Sequence, residues 1–190
     1  MVEIEQATIE ENERLKVQKH TPDDDYQAEP PRLLAWLASL VTISLPLVTQ
    51  FLARGYDPYL RGAGVLLLLL AAVFIFAPFY LLTKYGGKDG QTYMQTRIVV
   101  DRGLYAITRH PQYLGYMLFA CGFALLSQHW AAVLLATVGA SLFYMQAVKE
   151  ERYCLAQLGE PYKQYLQRVP RFNFILGIIR LLQRSNVSGS

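Results

Sequence analysis

The side chains best equipped for chemistry fall into three short clusters. Arg109, His110, Pro111 and Tyr113 form the first, with Gly103 and Tyr105 just ahead of them; Glu150 and Glu151 are the second; Tyr162, Tyr165, Arg168, Val169, Pro170 and Arg171 follow Gly159 as the third. Carboxylates and tyrosine faces suit a cation, because both present negative potential to it. The arginines suit the opposite task, since Arg109, Arg168 and Arg171 can each orient a carboxylate or a phosphate through paired N–H donors. Pro111 fits the first turn of a helix, where its missing N–H would be unpaired anyway. His110 then stands at a helix mouth among free backbone N–H groups, a place suited to holding a carboxylate. Glu151 is the candidate base for any acceptor that must lose a proton. A plainer reading accompanies each: a solvated glutamate pair at a helix end, arginines on anionic lipid head groups, and interfacial anchors for the histidine and tyrosines.

These clusters lie at the ends of strongly apolar segments. The chain has 190 residues, 53% of them hydrophobic and 17% charged, which allows one domain and leaves too little polar surface for a water-soluble fold. Four runs, 33–53, 63–83, 111–126 and 130–148, are candidates to cross a bilayer that takes about 20 apolar residues. The third is short, and Ser127-Gln128-His129 leaves room only for an antiparallel hairpin with the fourth. Pro46 in the first run predicts a bend whose freed carbonyl a neighbour or Thr42 or Ser44 can satisfy. The expectation is an all-α polytopic membrane protein with about four transmembrane helices plus cytoplasmic and interfacial helices. It has an acidic tail over 1–30, a membrane domain over 31–184 and a short tail over 185–190.

Basic residues set the expected orientation. Those of the N-terminal tail, of the 84–109 segment and of the region after 148 share one side, and only Arg54 and Arg61 fall on the other. Both termini and every cluster are therefore expected at the cytoplasmic face. Gly86-Gly87 and Asp89-Gly90 mark turns, and Ile98-Val99-Val100 is expected to run extended before Gly103. The fourth helix is expected to continue through 149–158 to a cap at Gly159, with Glu160-Pro161 opening another helix. In that helix Tyr162, Tyr165, Leu166 and Val169 form an apolar stripe that could meet the preceding helix or the membrane. Residues 172–182 are apolar but too few to span, and read as interfacial. Cys121 and Cys154 suggest no disulfide framework, and His20, His110 and His129 are too scattered for a metal site.

Taken in order, the clusters follow Gly-x-Tyr, Arg-His-Pro-x-Tyr-x-Gly, Glu-Glu-x-x-Leu and Gly-x-x-Tyr-x-x-Tyr-x-x-Arg-Val-Pro. In this the chain resembles the integral-membrane methyltransferases that include isoprenylcysteine carboxyl methyltransferase and the phospholipid N-methyltransferases. The likeness covers roughly residues 98–172 and departs mildly at Cys154, where the family usually has leucine. It implies S-adenosylmethionine as cofactor. Val99, Val100 and Gly103 would line the adenine, and Tyr105, Tyr113, Glu150 and Glu151 would face the sulfonium. His110, at the mouth of the helix opened by Pro111, would hold the amino-acid carboxylate. Arg109, Glu151 and Arg168 are the expected catalytic residues, and the expected partner is an amphiphilic lipid or lipidated acceptor, with no nucleic acid and no metal. No Gly-x-Gly-x-x-Gly stretch marks a soluble Rossmann domain. A phosphatidylethanolamine-type N-methyltransferase stays open, as do an NADPH enzyme of the sterol reductase type and a non-enzymatic membrane scaffold.

Overall fold

A computed structural model describes residues 32–52, 57–85 and 99–187. The acidic tail, the turn signals at 86–90, Arg54 and Ile98 lie outside the described residues. Every regular element within them is helical: α1 (Arg32–Leu52), α2 (Pro58–Tyr85), a 3-10 turn (Gly103–Ala106), α3 (Pro111–Ser127), α4 (Trp130–Leu158), α5 (Glu160–Arg168) and α6 (Phe174–Val187). Three of them, α1, α2 and α4, are long and apolar enough to cross a membrane. At 17 residues α3 measures about 25 Å, a little short of the hydrocarbon thickness of about 30 Å. It is the central helix and packs against α1, α2 and α4. The protein is thus an all-α polytopic membrane protein. Leu33, Trp36, Leu40 and Phe51 of α1 and Leu66, Leu69 and Phe76 of α2 are exposed, as apolar side chains facing lipid should be.

Association in lipid cannot rely on burying apolar surface, so close backbone packing takes its place. The seam between α2 and α3 is built that way. A Cβ added to Gly122 would stand 3.0 Å from the carbonyl oxygen of Gly64, and one added to Gly115 would stand 2.9 Å from backbone atoms of Phe74 and Ile75. On the other side Leu45 of α1 joins Ala120, Ala124, Ala132 and Ala136 in a buried cluster across α3 and α4. Ser44 Oγ donates to Val41 O at 2.7 Å, one residue short of the Thr42 carbonyl that Pro46 frees.

The α3–α4 hairpin closes as its three connecting residues imply. Gln128 takes a left-handed conformation (φ 49°) as the cap of α3, and His129 Nδ1 accepts the N–H of Ala131 at the start of α4. The Gln128 amide also clasps the backbone of Asp57 from both sides, fastening the start of α2 to this turn. At the opposite end α4 runs on unbroken to Leu158, and Gly159 caps it at φ +59° with its N–H on Leu155 O, 2.9 Å away. The stripe on α5 folds back on α4: Tyr162, Tyr165 and Val169 are buried against Cys154, Leu158 and Val99. Cys154, where leucine is usual, is therefore a packing residue under two tyrosines. α6 starts within the apolar stretch, with Asn173 Oδ1 accepting the N–H of Leu176 and Phe174 packing on Phe74 of α2.

Candidate active site

The segments before α3 and after α5 are tied side by side, and this pairing builds the site. Arg109 N–H donates to Pro170 O at 3.0 Å, and Thr108 Oγ1 donates to Arg171 O at 2.8 Å. Thr108 and Val169 are fully buried. Gly103 opens the 3-10 turn at φ +59°, which an L side chain rarely adopts, and a Cβ there would meet Leu81 of α2 at 2.9 Å. Tyr165 Oη donates to Tyr105 O at 2.8 Å, fastening that turn to α5. Burial pushes the phenols of Tyr162 and Tyr165 well above their ordinary value, so both act as neutral groups.

Glu151 is the hub. It projects from α4 just beyond the apolar run and is 7% exposed. Oε1 receives His110 Nε2 at 3.1 Å, Arg109 Nη1 at 3.0 Å and Arg171 Nε at 2.9 Å; Oε2 receives Arg171 Nη2 at 2.6 Å. The Arg171 contact is two-pronged, the strongest form of the guanidinium–carboxylate pair. Arg171 Nη1 also donates to Tyr144 Oη at 3.0 Å. Two guanidiniums thus face one carboxylate and leave a positive charge in excess on this side. Three of these contacts fall on Oε1 and one on Oε2, so Glu151 is held chiefly as the partner of the two guanidiniums.

Beside it lies a second, oppositely charged half. Tyr113 Oη donates to Glu150 Oε2 at 2.6 Å, and the His110 ring stacks on Tyr113 with centroids 5.5 Å apart and planes at 8°. Tyr113 stacks in turn near Phe143, 5.7 Å away. Burial and the nearby Glu150 carboxylate push the Tyr105 phenol upward, so it too stays neutral. His110 separates the halves, with Nε2 on Glu151 and Nδ1 3.9 Å from Glu150 Oε2.

The structure therefore brings together Tyr105, Arg109, His110, Tyr113, Glu150 and Glu151, with Pro111 buried at the first turn of α3. Val99 packs in the Tyr162–Tyr165 cluster and Val100 is half-buried next to it. Arg168 is the exception: it reaches Asp101 at 3.7 Å, about half exposed, and stands apart from the Glu151 hub. Arg171 takes that place, because α5 ends at Arg168 and the extended Val169 turns the next residues toward His110. Glu151 comes from α4 and its three partner residues, Arg109, His110 and Arg171, from the two flanking segments, a convergence that spacing along the chain does not reveal. Tyr144 and Phe172, which packs 5.9 Å from the His110 ring, were not legible as site residues. They close one end of an apolar groove of about 750 Å³ between α3 and α4, lined further along by Met117, Cys121, Ala140 and Met145.

The profile of the phospholipid methyltransferase family matches residues 60–160, more than half of the chain. Over 74 residues the chain is 34% identical to protein-S-isoprenylcysteine O-methyltransferase of Schizosaccharomyces pombe, covering 38% of this chain and 31% of that protein. Over 73 residues it is 34% identical to protein-S-isoprenylcysteine O-methyltransferase B of Arabidopsis thaliana, covering 38% and 37%. The chain thus spans about a third of the length of these curated relatives. No solved structure matches it.

Proposed function

The chain belongs to the phospholipid methyltransferase family, and from that premise we propose that it methylates the carboxylate of an amphiphilic acceptor with S-adenosylmethionine as donor. The observation that carries the reading is the division of the site into a half with excess positive charge, Arg109 and Arg171 on Glu151, and an anionic, aromatic half at Glu150, Tyr113 and Tyr105. A cationic donor and an anionic acceptor need that arrangement of charge. The residues present fit such a donor: aromatic faces adjoin a carboxylate, and the buried Gln146 Oε1 and Arg109 Nε have no hydrogen-bond partner of their own. When bound, S-adenosylmethionine supplies an electrophilic methyl group on a sulfonium.

The chain's own residues then have distinct tasks. Tyr105, Tyr113 and Glu150 face the cation, His110 holds the two halves in register, and Val99, Val100 and Gly103 form the apolar flank suited to an adenine. Arg109 and Arg171 orient the acceptor carboxylate, and Glu151 keeps both guanidiniums in place. A carboxylate attacks with a lone pair and has no proton to lose. An amine acceptor, as in a phosphatidylethanolamine head group, would need a base, and the contacts of Arg109, His110 and Arg171 on Glu151 speak against it. The relatives named for isoprenylcysteine O-methylation point the same way. The basic residues around the site support a cytoplasmic orientation, and the groove ending at Tyr144 and Phe172 is a route for an apolar tail from the bilayer.

Calorimetry on the detergent-purified protein tests the donor. It should detect S-adenosylhomocysteine and not NADPH. The reverse preference would favour a reductase, and binding of neither would favour a scaffold; either result overturns the proposal.

A further inference from the structure

Gln146 lies one helical turn before Glu150 on α4 and is 3% exposed. An amide at that depth in an apolar helix is costly unless both its ends are hydrogen-bonded, and a leucine would fill the space without the penalty. One end faces the phenol of Tyr113. That phenol gives its single proton to Glu150 Oε2 at 2.6 Å, so the group facing its oxygen has to be a donor, the Nε2 amide. The carbonyl end, Oε1, is buried without a partner. Both contacts of Glu150 with Tyr113 and His110 fall on Oε2. Gln146 thus stands beside the Tyr113–Glu150 hydrogen bond with an unmet acceptor of its own.

We infer that Gln146 is a positioning residue of the donor site. Its Nε2 fixes the Tyr113 phenol on Glu150, and its Oε1 accepts an N–H from the ammonium of the donor's amino-acid end. This rests on the methyl-donor reading above. The test compares S-adenosylhomocysteine with its desamino analogue by calorimetry, on wild-type protein and on Gln146→Leu, Gln146→Met and Gln146→Glu. Wild type should prefer S-adenosylhomocysteine. The two apolar variants should lose about tenfold in affinity for it and little for the analogue, while unfolding at the same temperature or higher. Gln146→Glu, which keeps an acceptor oxygen, should retain the preference. Equal losses for both compounds, or none, in whichever apolar variant folds would overturn the inference and leave the donor reading intact. Failure of wild type to bind S-adenosylhomocysteine would overturn both.

Discussion

At the scale of residues, Arg109, His110 and Arg171 converge on Glu151, and this decides which arginine matters. Arg171 and Arg168 stand one helical turn apart in sequence, but only Arg171 makes a two-pronged contact with a buried carboxylate. Arg168 pairs with Asp101 near the surface, where such pairs contribute at most about 1 kcal/mol. Removing Arg171 leaves Glu151 short of two donors, each charge-assisted bond contributing about 1.5–3 kcal/mol. Arg171→Ala should therefore lower kcat/KM for methyl transfer by roughly 10- to 100-fold or more, and Arg171→Lys should recover only part of it, because an ammonium cannot reproduce the fork. Arg168→Ala should stay within about fivefold of wild type. Steady-state kinetics on the three variants would check this, and equal losses at 168 and 171 would contradict the assignment.

At the scale of elements, the site depends on α3 being held close to α2 by glycines. Pro111, His110 and Tyr113 belong to the end of α3, and its seam with α2 continues through Gly115 and Gly122 toward the far side of the membrane. A side chain at Gly122 must displace the backbone of Gly64 or the side chain of Leu68. Gly122→Leu should destabilise the protein by about 1–3 kcal/mol, the range for overpacking a close contact. Gly62, on the same helix as Gly64, has nothing within 4 Å of its added Cβ, so Gly62→Leu should be close to neutral. Thermal unfolding of both variants in one detergent measures the difference, and comparable melting temperatures would show that the seam tolerates separation. The same logic explains α5: its tyrosines are buried on α4, so the helix acts as a clamp that holds the 3-10 turn through Tyr165 and aims the residues after it.

At the scale of the whole molecule, charged chemistry is gathered at one end of an apolar bundle, and the groove between α3 and α4 leads to it. An acceptor held by a head group alone would use only the arginines. One with an apolar tail would also gain about 0.8 kcal/mol for each CH₂ buried. Shortening the tail by four carbons should then lower kcat/KM by roughly two orders of magnitude. A series of alkyl or prenyl thioethers of one carboxylate head group, compared with a tail-free analogue, tests this. Equal kcat/KM throughout the series would exclude the groove as the acceptor's route.

Hydropathy and spacing alone determined that the chain crosses a membrane as helices, where α4 ends, and which short segments carry the chemistry. The reason is local: apolar run length, Pro111 at a first turn and Gly159 at a cap each act through their immediate neighbours. The joint pattern of Arg-His-Pro, Glu-Glu and Arg-Val-Pro also singled out the family. Only the tertiary structure decided which of the gathered residues touch. Residues 108–110 and 169–171 are about sixty positions apart, and their pairing rests on Thr108, Pro170 and the buried Tyr165, none of which announces a partner in sequence. Because that pairing turns the chain within three residues, it exchanged Arg168 for Arg171. It also gathered two guanidiniums on Glu151, a contact that the Glu-Glu pair alone does not announce.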